Sequence, residues 1–177
     1  LTNKFIKWTP DIFQGENIFK ATKTRDTKTS WSAHTFYRAK NKELEKNWYW
    51  QGVGYMWLTG AEEHTVDLCL VNGTEKAIND EKRILSYSMQ VIDPTNNPEY
   101  IEKCKQIEIN HIFDLAAFQK EYPWFEFHND INTWDFDIPQ EERHHPFTFK
   151  RNESDILKIE KRVVECREWM NKNLFNI

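Results

Sequence analysis

Alternating polar and apolar positions dominate the first part of the chain. Residues 3–13 alternate up to a Pro-Asp pair, and residues 17–31 alternate again after a Gly-containing turn at 14–17. A period of two is typical of strands with one buried face, so two strands joined as a hairpin are predicted. Residues two apart in a strand project from the same face, which places Asp26 and Lys28 together.

From residue 43 to residue 58 the apolar period changes to that of a helix, which Thr59-Gly60 is predicted to end. Gln51 and Tyr55 lie one turn apart on this helix. Gly52 and Gly54 each weaken a helix by roughly 1 kcal/mol relative to Ala. That cost indicates close approach of another backbone or of a ligand, although tight packing of helix on sheet explains it as well. The polar stretch 32–42 before the helix is predicted as a connecting segment.

The rest of the chain alternates between strand patterns and capped helices. The stretch 119–142 is irregular, aromatic and acidic, and is predicted as an ordered loop packed by its own rings. Neither repeats nor a linker interrupt the pattern, so a single domain over 1–177 is predicted. The other predicted elements are a buried strand over 65–71, a helix capped by Thr74 and broken at Asp93-Pro94, a helix capped by Asn97 and running to about Phe118, a short strand over 143–151 and a last helix capped by Asn152 and Asp155.

Composition excludes some classes of protein and leaves others open. The net charge of -4 does not favour nucleic-acid binding, but only local charge decides that property. Cys69, Cys104 and Cys166 are widely spaced without a Cys-x-x-Cys, which indicates buried thiols in a reducing compartment. No apolar run approaches the roughly 18 residues of a membrane span, and the N-terminus lacks the apolar core of a signal peptide. A soluble, cytoplasmic protein is therefore expected.

Asp11, Asp26 and Lys28 suggest a specific chemistry. Hydrolysis of a phosphodiester needs a cation on the scissile phosphate and an activated water, and Mg²⁺ prefers carboxylates, a carbonyl and its own waters. Asp11 and Asp26 are the candidate carboxylates, and the Thr27 carbonyl is a third candidate ligand. Lys28 is the candidate for holding or deprotonating the water, or for neutralising charge that develops in the transition state.

Gln51 and Tyr55 belong to a helix expected to lie over the sheet, so they are candidates for orienting Lys28 or the DNA backbone. Each part also has a purely structural explanation. A Pro-Asp pair occurs by chance in many proteins, and Asp-x-Lys is common on the solvated edge of a strand. The spacing, the two hairpin strands and the following Gln-x-x-x-Tyr helix together favour a function.

Other candidate sites carry weaker signals. His144-His145 could bind a metal, but a third ligand is not near in sequence, and a solvent-exposed pair is the alternative. No Ser stands in a nucleophile-elbow context, which argues against serine hydrolysis. Basic residues of the N-terminal strands could follow a DNA backbone, with indoles for stacking, and a solvated strand face is the alternative. This basic cluster comprises Lys4, Lys7, Lys20, Lys23, Arg25 and Lys28, close in sequence to Trp8 and Trp31.

The chain resembles the phage alkaline exonucleases of the lambda-exonuclease or YqaJ type, which belong to the PD-(D/E)xK superfamily. The run from Trp48 to Gly60, with its aromatic-Trp-Gln and Tyr-Met-x-Leu-Thr-Gly, is the most specific part of this resemblance. Thr9-Pro10-Asp11-Ile12 and Asp26-Thr27-Lys28-Thr29-Ser30-Trp31 resemble the other motifs of the catalytic core, here residues 4–72. The Val71-Asn72 strand end, the Asp80-Glu81-Lys82-Arg83 helix and the helix from Asn97 to Asp114, within the helical C-terminal part over 74–177, also resemble the family, so the resemblance covers most of the chain.

The resemblance implies an α/β fold with a mixed sheet flanked by helices, the restriction-endonuclease-like core. It implies digestion of double-stranded DNA ends with Mg²⁺, or with Mn²⁺ in its place, in a bacterial or phage-infected cell. It also implies pairing with a phage single-strand annealing protein and a ring-shaped homotrimer. Carried over by motif, Asp11 and Asp26 are metal ligands, Lys28 is the catalytic lysine, and Gln51 and Tyr55 form the helix motif.

The chain departs from the family pattern at three points. Only ten residues precede Asp11, so we expect the family's N-terminal region, with its helix and further metal-binding Glu, to be absent. Trp8 stands where the family usually has Gly, and Val53 stands where a second Gln is common. A second hypothesis is therefore a catalytically lapsed relative that binds nucleic acid or a host defence protein. The intact motif residues favour the nuclease.

Overall fold

A four-stranded sheet and five α-helices make up the computed structural model, which describes residues 1–114 and 138–175 together with Ala116 and Lys120. The sheet order is β1-β2-β3-β4. The predicted α/β class, a mixed sheet with helices, is confirmed. The strands are β1 Ile12–Gly15, β2 Ala21–Ser30, β3 Glu63–Leu70 and β4 His144–Lys150, and the helices are α1 Ala33–Lys40, α2 Lys46–Thr59, α3 Glu75–Ser88, α4 Pro98–His111 and α5 Glu153–Met170.

The chain divides into two compact units. The first unit contains Leu1–Lys28, Lys42–Asp67 and the chain from Pro146 onward, and therefore most residues of all four strands. The second unit contains Thr29–Asn41 and the chain between Leu68 and His145. The expectation of a single domain stays a prediction.

Strands β1 and β2 form the predicted antiparallel hairpin, with Ile12 opposite Arg25 and Gln14 opposite Lys23. The predicted strand over 3–13 is wrong, because β1 begins only at Ile12 and Thr2 and Lys7 form an isolated bridge. The cause is a local turn: the Asn3 side chain accepts hydrogen bonds from the Phe5 and Ile6 backbone N–H groups.

Side-chain caps also explain two further corrections. The strand predicted over 17–31 begins at Ala21, because Asn17 caps a short 3-10 helix over Ile18–Lys20. The segment predicted as a connection over 32–42 contains helix α1, which Ser32 caps and which buries only Phe36. A single buried residue leaves almost no apolar period to detect.

Helix α2 provides much of the core of the first unit. Val53 and Met56 are buried against Ala21, Ala61 and Ile156, with the half-buried rings of Tyr49, Trp50, Trp57 and Phe149 around them. The helix ends as predicted at Gly60, which takes a left-handed conformation with φ of 81°. Left-handed backbone costs a residue with a Cβ about 1–2 kcal/mol, so glycine suits this C-cap.

Gly52 and Gly54 give α2 its close contacts. A Cβ on Gly52 would collide with the His64 ring and lie 2.6 Å from Phe149 Cζ, and one on Gly54 would collide with Trp8. The glycines are therefore explained by tight helix packing, the second of the two explanations offered by the sequence.

The second unit contains the predicted capped helices α3 and α4. Thr74 caps α3 and Asn97 caps α4, each by accepting a backbone hydrogen bond in the first turn. Helix α4 ends at His111 rather than near Phe118, and the His111 carbonyl accepts from the Gly73 N–H at 2.7 Å. Most of the aromatic loop predicted over 119–142 lies outside the described residues.

The predicted strand over 143–151 and the helix after Asn152 are confirmed as β4 and α5. Cys69 and Cys104 are half-buried and Cys166 is exposed, contrary to the expectation of buried thiols. In the described part of the chain, no helix is both long and apolar enough to cross a membrane.

Candidate functional site

Asp26 and Lys28 lie on the buried face of strand β2, as their spacing predicts. Thr24, Asp26 and Ser30 on this face are buried, and the residues between them are mostly exposed. Asp26 is only 4% exposed, yet it carries a carboxylate. Lys28 Nζ lies 2.5 Å from Asp26 Oδ2, which offsets the cost of burying that charge.

Two residues of helix α2 complete a closed ring of polar contacts with this pair. Lys28 Nζ donates to Gln51 Oε1 at 3.0 Å, and Gln51 Nε2 donates to the Tyr55 hydroxyl at 2.6 Å. The Tyr55 hydroxyl in turn donates to Asp26 Oδ1 at 3.5 Å. The structure thus brings together the four predicted residues Asp26, Lys28, Gln51 and Tyr55, which we call the polar ring.

The environment keeps Tyr55 protonated. Burial raises the pKa of the Tyr55 phenol, the hydrogen bond from Gln51 opposes this shift, and the negative charges of Asp26 and Asp11 add to it. A protonated phenol remains a donor, and Asp26 Oδ1 accepts from it. Tyr55 therefore holds one carboxylate oxygen of Asp26 in place.

Asp11 reaches the same region from the residue before β1. Its Oδ2 accepts the Thr27 backbone N–H at 2.9 Å. Ile12, the first paired residue of β1, lies opposite Arg25, so Asp11 at the preceding bend lies beside the end of this pairing. The negative charges of Asp26 and Asp11 both act on the Tyr55 phenol. The exposed Asp11 and the buried Asp26 therefore border one site.

The Thr27 carbonyl faces the same edge. In a strand, the N–H and the C=O of one residue point to the same side, and the Thr27 N–H points toward Asp11. Pairing of β1 with β2 begins only at Ile12, which pairs with Arg25. The Thr27 carbonyl thus lies beside Asp11 and beyond the last strand pair.

These donors are the kind that Mg²⁺ prefers. Within the described ranges, no three His, Cys, Asp or Glu residues come together as a metal site. Mg²⁺ needs only one or two carboxylates, because it keeps several waters and binds substrate phosphate. Asp26 Oδ2 is buried, and its contact in the described part of the chain is the Lys28 ammonium at 2.5 Å. A carboxylate oxygen has two lone pairs, so one of them is left for a Mg²⁺ ion.

His64 lies under the polar ring, and the sequence analysis did not single it out. Its ring is fully buried on β3, Nδ1 is 2.8 Å from Thr24 Oγ1, and the ring centroid is 5.6 Å from that of Tyr55. Burial, with the nearby charge of Lys28, lowers the pKa of His64 to about 4. His64 is therefore neutral at pH 7 and supports Tyr55 by packing.

The candidate DNA-binding residues lie elsewhere on the first strands. Lys23 and Arg25 alternate with Asp26 and so project from the opposite face of β2. Each basic side chain has an acidic partner: Lys20 with Glu16 at 2.8 Å, Lys23 with Glu63 at 2.8 Å and Arg25 with Asp67 at 3.0 Å. Trp31 is 54% exposed. Their role in binding DNA stays a prediction.

Comparisons with known proteins give one likeness to report. No family model and no curated protein matches the chain. Among solved structures, the chain is similar to the crystal structure of a phage-related exonuclease from Haemophilus somnus 129PT, with a TM-score of 0.48 and 19% sequence identity. The match covers 88% of this chain and 52% of the other, so this chain spans about half the length of that protein.

Proposed function

We propose that this chain is the catalytic core of a metal-dependent deoxyribonuclease that hydrolyses double-stranded DNA. The polar ring beside Asp11 is the observation that carries the proposal. Burying an Asp-Lys ion pair costs free energy unless hydrogen bonds satisfy both side chains. Here two residues of the glycine-containing helix α2 provide those hydrogen bonds. Such an arrangement is common where charges are positioned for chemistry.

Asp11, Asp26 and the Thr27 carbonyl would hold Mg²⁺, with Mn²⁺ as the alternative ion. The bound ion would supply positive charge to the scissile phosphate and would lower the pKa of a bound water. The chain itself presents two carboxylates at one site, of which one is buried and the other is exposed. The buried Asp26 is fixed by Tyr55, and the exposed Asp11 is fixed by the Thr27 N–H.

Lys28 would act on the water or on the developing charge. Its ammonium has three N–H donors, and the contacts to Asp26 and Gln51 take two of them. The third is left for the attacking water or for a phosphate oxygen. A fixed ammonium at that point stabilises the extra negative charge of the transition state without reorganisation.

The finer details of the proposal come from the family resemblance. They are digestion from DNA ends, a role in recombination, pairing with a phage single-strand annealing protein, assembly as a trimer and a cytoplasmic location. Each of these concerns a whole protein, whereas the polar ring supports only the chemistry.

The test is cleavage of matched linear and covalently closed circular duplex DNA with Mg²⁺, in the wild type and in Asp26→Ala. We expect the wild type to degrade only the linear DNA. Chelation of Mg²⁺ and the Asp26→Ala substitution should each abolish this cleavage. Asp155→Asn is a matched control, because Asp155 is also buried and also contacts a Lys and a Tyr: Lys158 at 2.6 Å and Tyr49 at 2.6 Å. A folded wild-type protein that leaves both DNAs intact would overturn the proposal.

A second candidate function is a binding protein with a lapsed site. Helix α5 favours it, because Leu157, Val164 and Trp169 on this helix are exposed. Exposed apolar surface of this kind is typical of protein interfaces. The outcome in which folded protein cuts neither DNA would favour this candidate.

A further inference from the structure

A cavity of about 470 Å³ lies in the first unit beside helix α5. This volume falls in the range of pockets that bind small molecules, roughly 300–1,000 Å³. Two indoles and aliphatic side chains form its walls, and two cationic side chains of α5 are at its border. The lining residues are Trp8, Trp50, Lys158, Ile159, Arg162 and Val163.

One wall of the cavity is shared with the polar ring. The Trp8 ring lies edge-on to the Tyr55 ring with centroids 6.1 Å apart, and it occupies the space that Gly54 leaves open. Tyr55 is the hydrogen-bond donor to Asp26. The cavity therefore begins one side chain away from the residues that bond the buried carboxylate.

The walls have the chemistry that binds a nucleotide. Aromatic faces stack with nucleobases, and Lys or Arg beside them attracts the phosphate. Lys158 and Arg162 each have an acidic partner on the same helix, Asp155 at 2.6 Å and Glu165 at 3.2 Å. Arg162 and its partner Glu165 are both exposed, and such ion pairs are weak, so a phosphate can compete for Arg162. Asp155 is buried, so Lys158 keeps that contact and offers a phosphate its other N–H donors.

We propose that this cavity is a subsite for an unpaired nucleotide of the DNA substrate. Its base contacts the indoles of Trp8 and Trp50, and its phosphate lies at Lys158 and Arg162. An unpaired base is required because a base within the duplex stack has no free face to offer an indole. The inference rests on the proposed nuclease function, since it places the subsite next to the reacting carboxylates.

The test measures binding without cleavage. Fluorescein-labelled duplexes that end in three unpaired thymidines, or in three abasic residues of equal charge, are titrated with the wild-type protein in EDTA and followed by anisotropy. The thymidine end should bind on the order of tenfold tighter, the value expected for one stacked base. Trp50→Leu should remove this preference, and Arg162→Glu should weaken binding to both ends.

Two further variants serve as controls. Lys161→Glu makes the same kind of charge change one residue from Arg162, outside the cavity lining, and should weaken binding less. If Trp50→Leu unfolds the protein, as judged by circular dichroism, Val163→Phe fills the cavity from the helix side and should also remove the thymidine preference.

Equal affinity of the wild type for thymidine and abasic ends would overturn the proposal. So would a preference that persists in folded Trp50→Leu and Val163→Phe, and the cavity would then have a different occupant, such as a protein side chain. Because the assay contains no metal ion and no cleavage step, its failure is distinct from failure of the nuclease proposal.

Discussion

Lys28 and Gln51 are joined by a 3.0 Å hydrogen bond that connects strand β2 to helix α2. The same Gln51 donates to Tyr55, so a single amide bonds both Lys28 and the phenol. An amide can do this because it carries an acceptor and two donors, whereas a carboxylate only accepts. The direction in which the Lys28 ammonium points therefore depends on one side chain of the helix.

Gln51→Leu should lower the rate of DNA cleavage by about 10–100-fold, the loss typical of removing a group that orients a catalytic residue. The fold should persist, because Gln51 is only half buried. Single-turnover rates at saturating Mg²⁺ are the measurement. Gln106→Leu is the matched control, since Gln106 also bonds a residue one turn along its helix, Asn110 at 3.0 Å. Equal rates in the two variants would contradict the orienting role.

Gly52→Ala tests the close packing of α2 on the sheet. In an exposed helix this change stabilises by roughly 1 kcal/mol. Here the added Cβ would collide with His64 and Phe149, so we expect a destabilisation of about 1–3 kcal/mol. Urea unfolding gives the free energy, and Asn47→Ala on the exposed side of α2 should be neutral or slightly stabilising. A stabilised Gly52→Ala protein would contradict the observed packing.

The buried His64 predicts that stability depends on pH. Its pKa is about 4 in the folded protein and 6.5 for an unperturbed histidine, so the unfolded chain takes up the proton first. The stability is therefore complete above pH 6.5 and is lost as the pH falls toward 4, by roughly 3 kcal/mol in all. Urea unfolding at pH 7 and pH 4.5 measures the loss.

His64→Gln should reduce that loss, and His34→Gln, at an exposed position of α1, should leave it unchanged. A wild-type protein that is equally stable at both pH values would show that His64 is not buried in a neutral form.

The hydrophobic period of the sequence was enough to predict which strand or helix carries each site residue, and on which face of that element it lies. Period two predicts that Asp26 and Lys28 share a strand face, and helical spacing predicts that Gln51 and Tyr55 share a helix face; both hold. The contact of α2 with the sheet depends on tertiary packing, in which Gly52 lies against His64 of β3 and Phe149 of β4. Spacing along the chain carries no information about that contact.

The errors have equally local causes. The Asn3 side chain bends residues that alternate like a strand, and the Ser32 cap begins a helix in a stretch with one buried ring. His64 was missed because a histidine in a strand is buried only through its tertiary neighbours, here Gly52 and Phe149. The spacing of apolar residues predicts neither side-chain caps nor buried polar residues.

Asp11→Asn separates the structural role of Asp11 from its charge. The amide oxygen of Asn can still accept the Thr27 N–H, so the hairpin edge should keep its conformation. One negative charge fewer should weaken Mg²⁺ binding, and the Mg²⁺ concentration for half-maximal cleavage should rise on the order of 10–100-fold. Calorimetric titration with Mg²⁺ compares Mg²⁺ binding by the wild type and by Asp11→Asn without DNA cleavage.

Glu16→Gln is the matched control for charge, because Glu16 is an exposed acid of the same hairpin and forms an ion pair with Lys20 at 2.8 Å. Its Mg²⁺ dependence should equal that of the wild type. If Asp11→Asn also behaves like the wild type in both cleavage and calorimetry, Asp11 serves only to hold the Thr27 N–H. The metal site would then have to be built on Asp26 without Asp11.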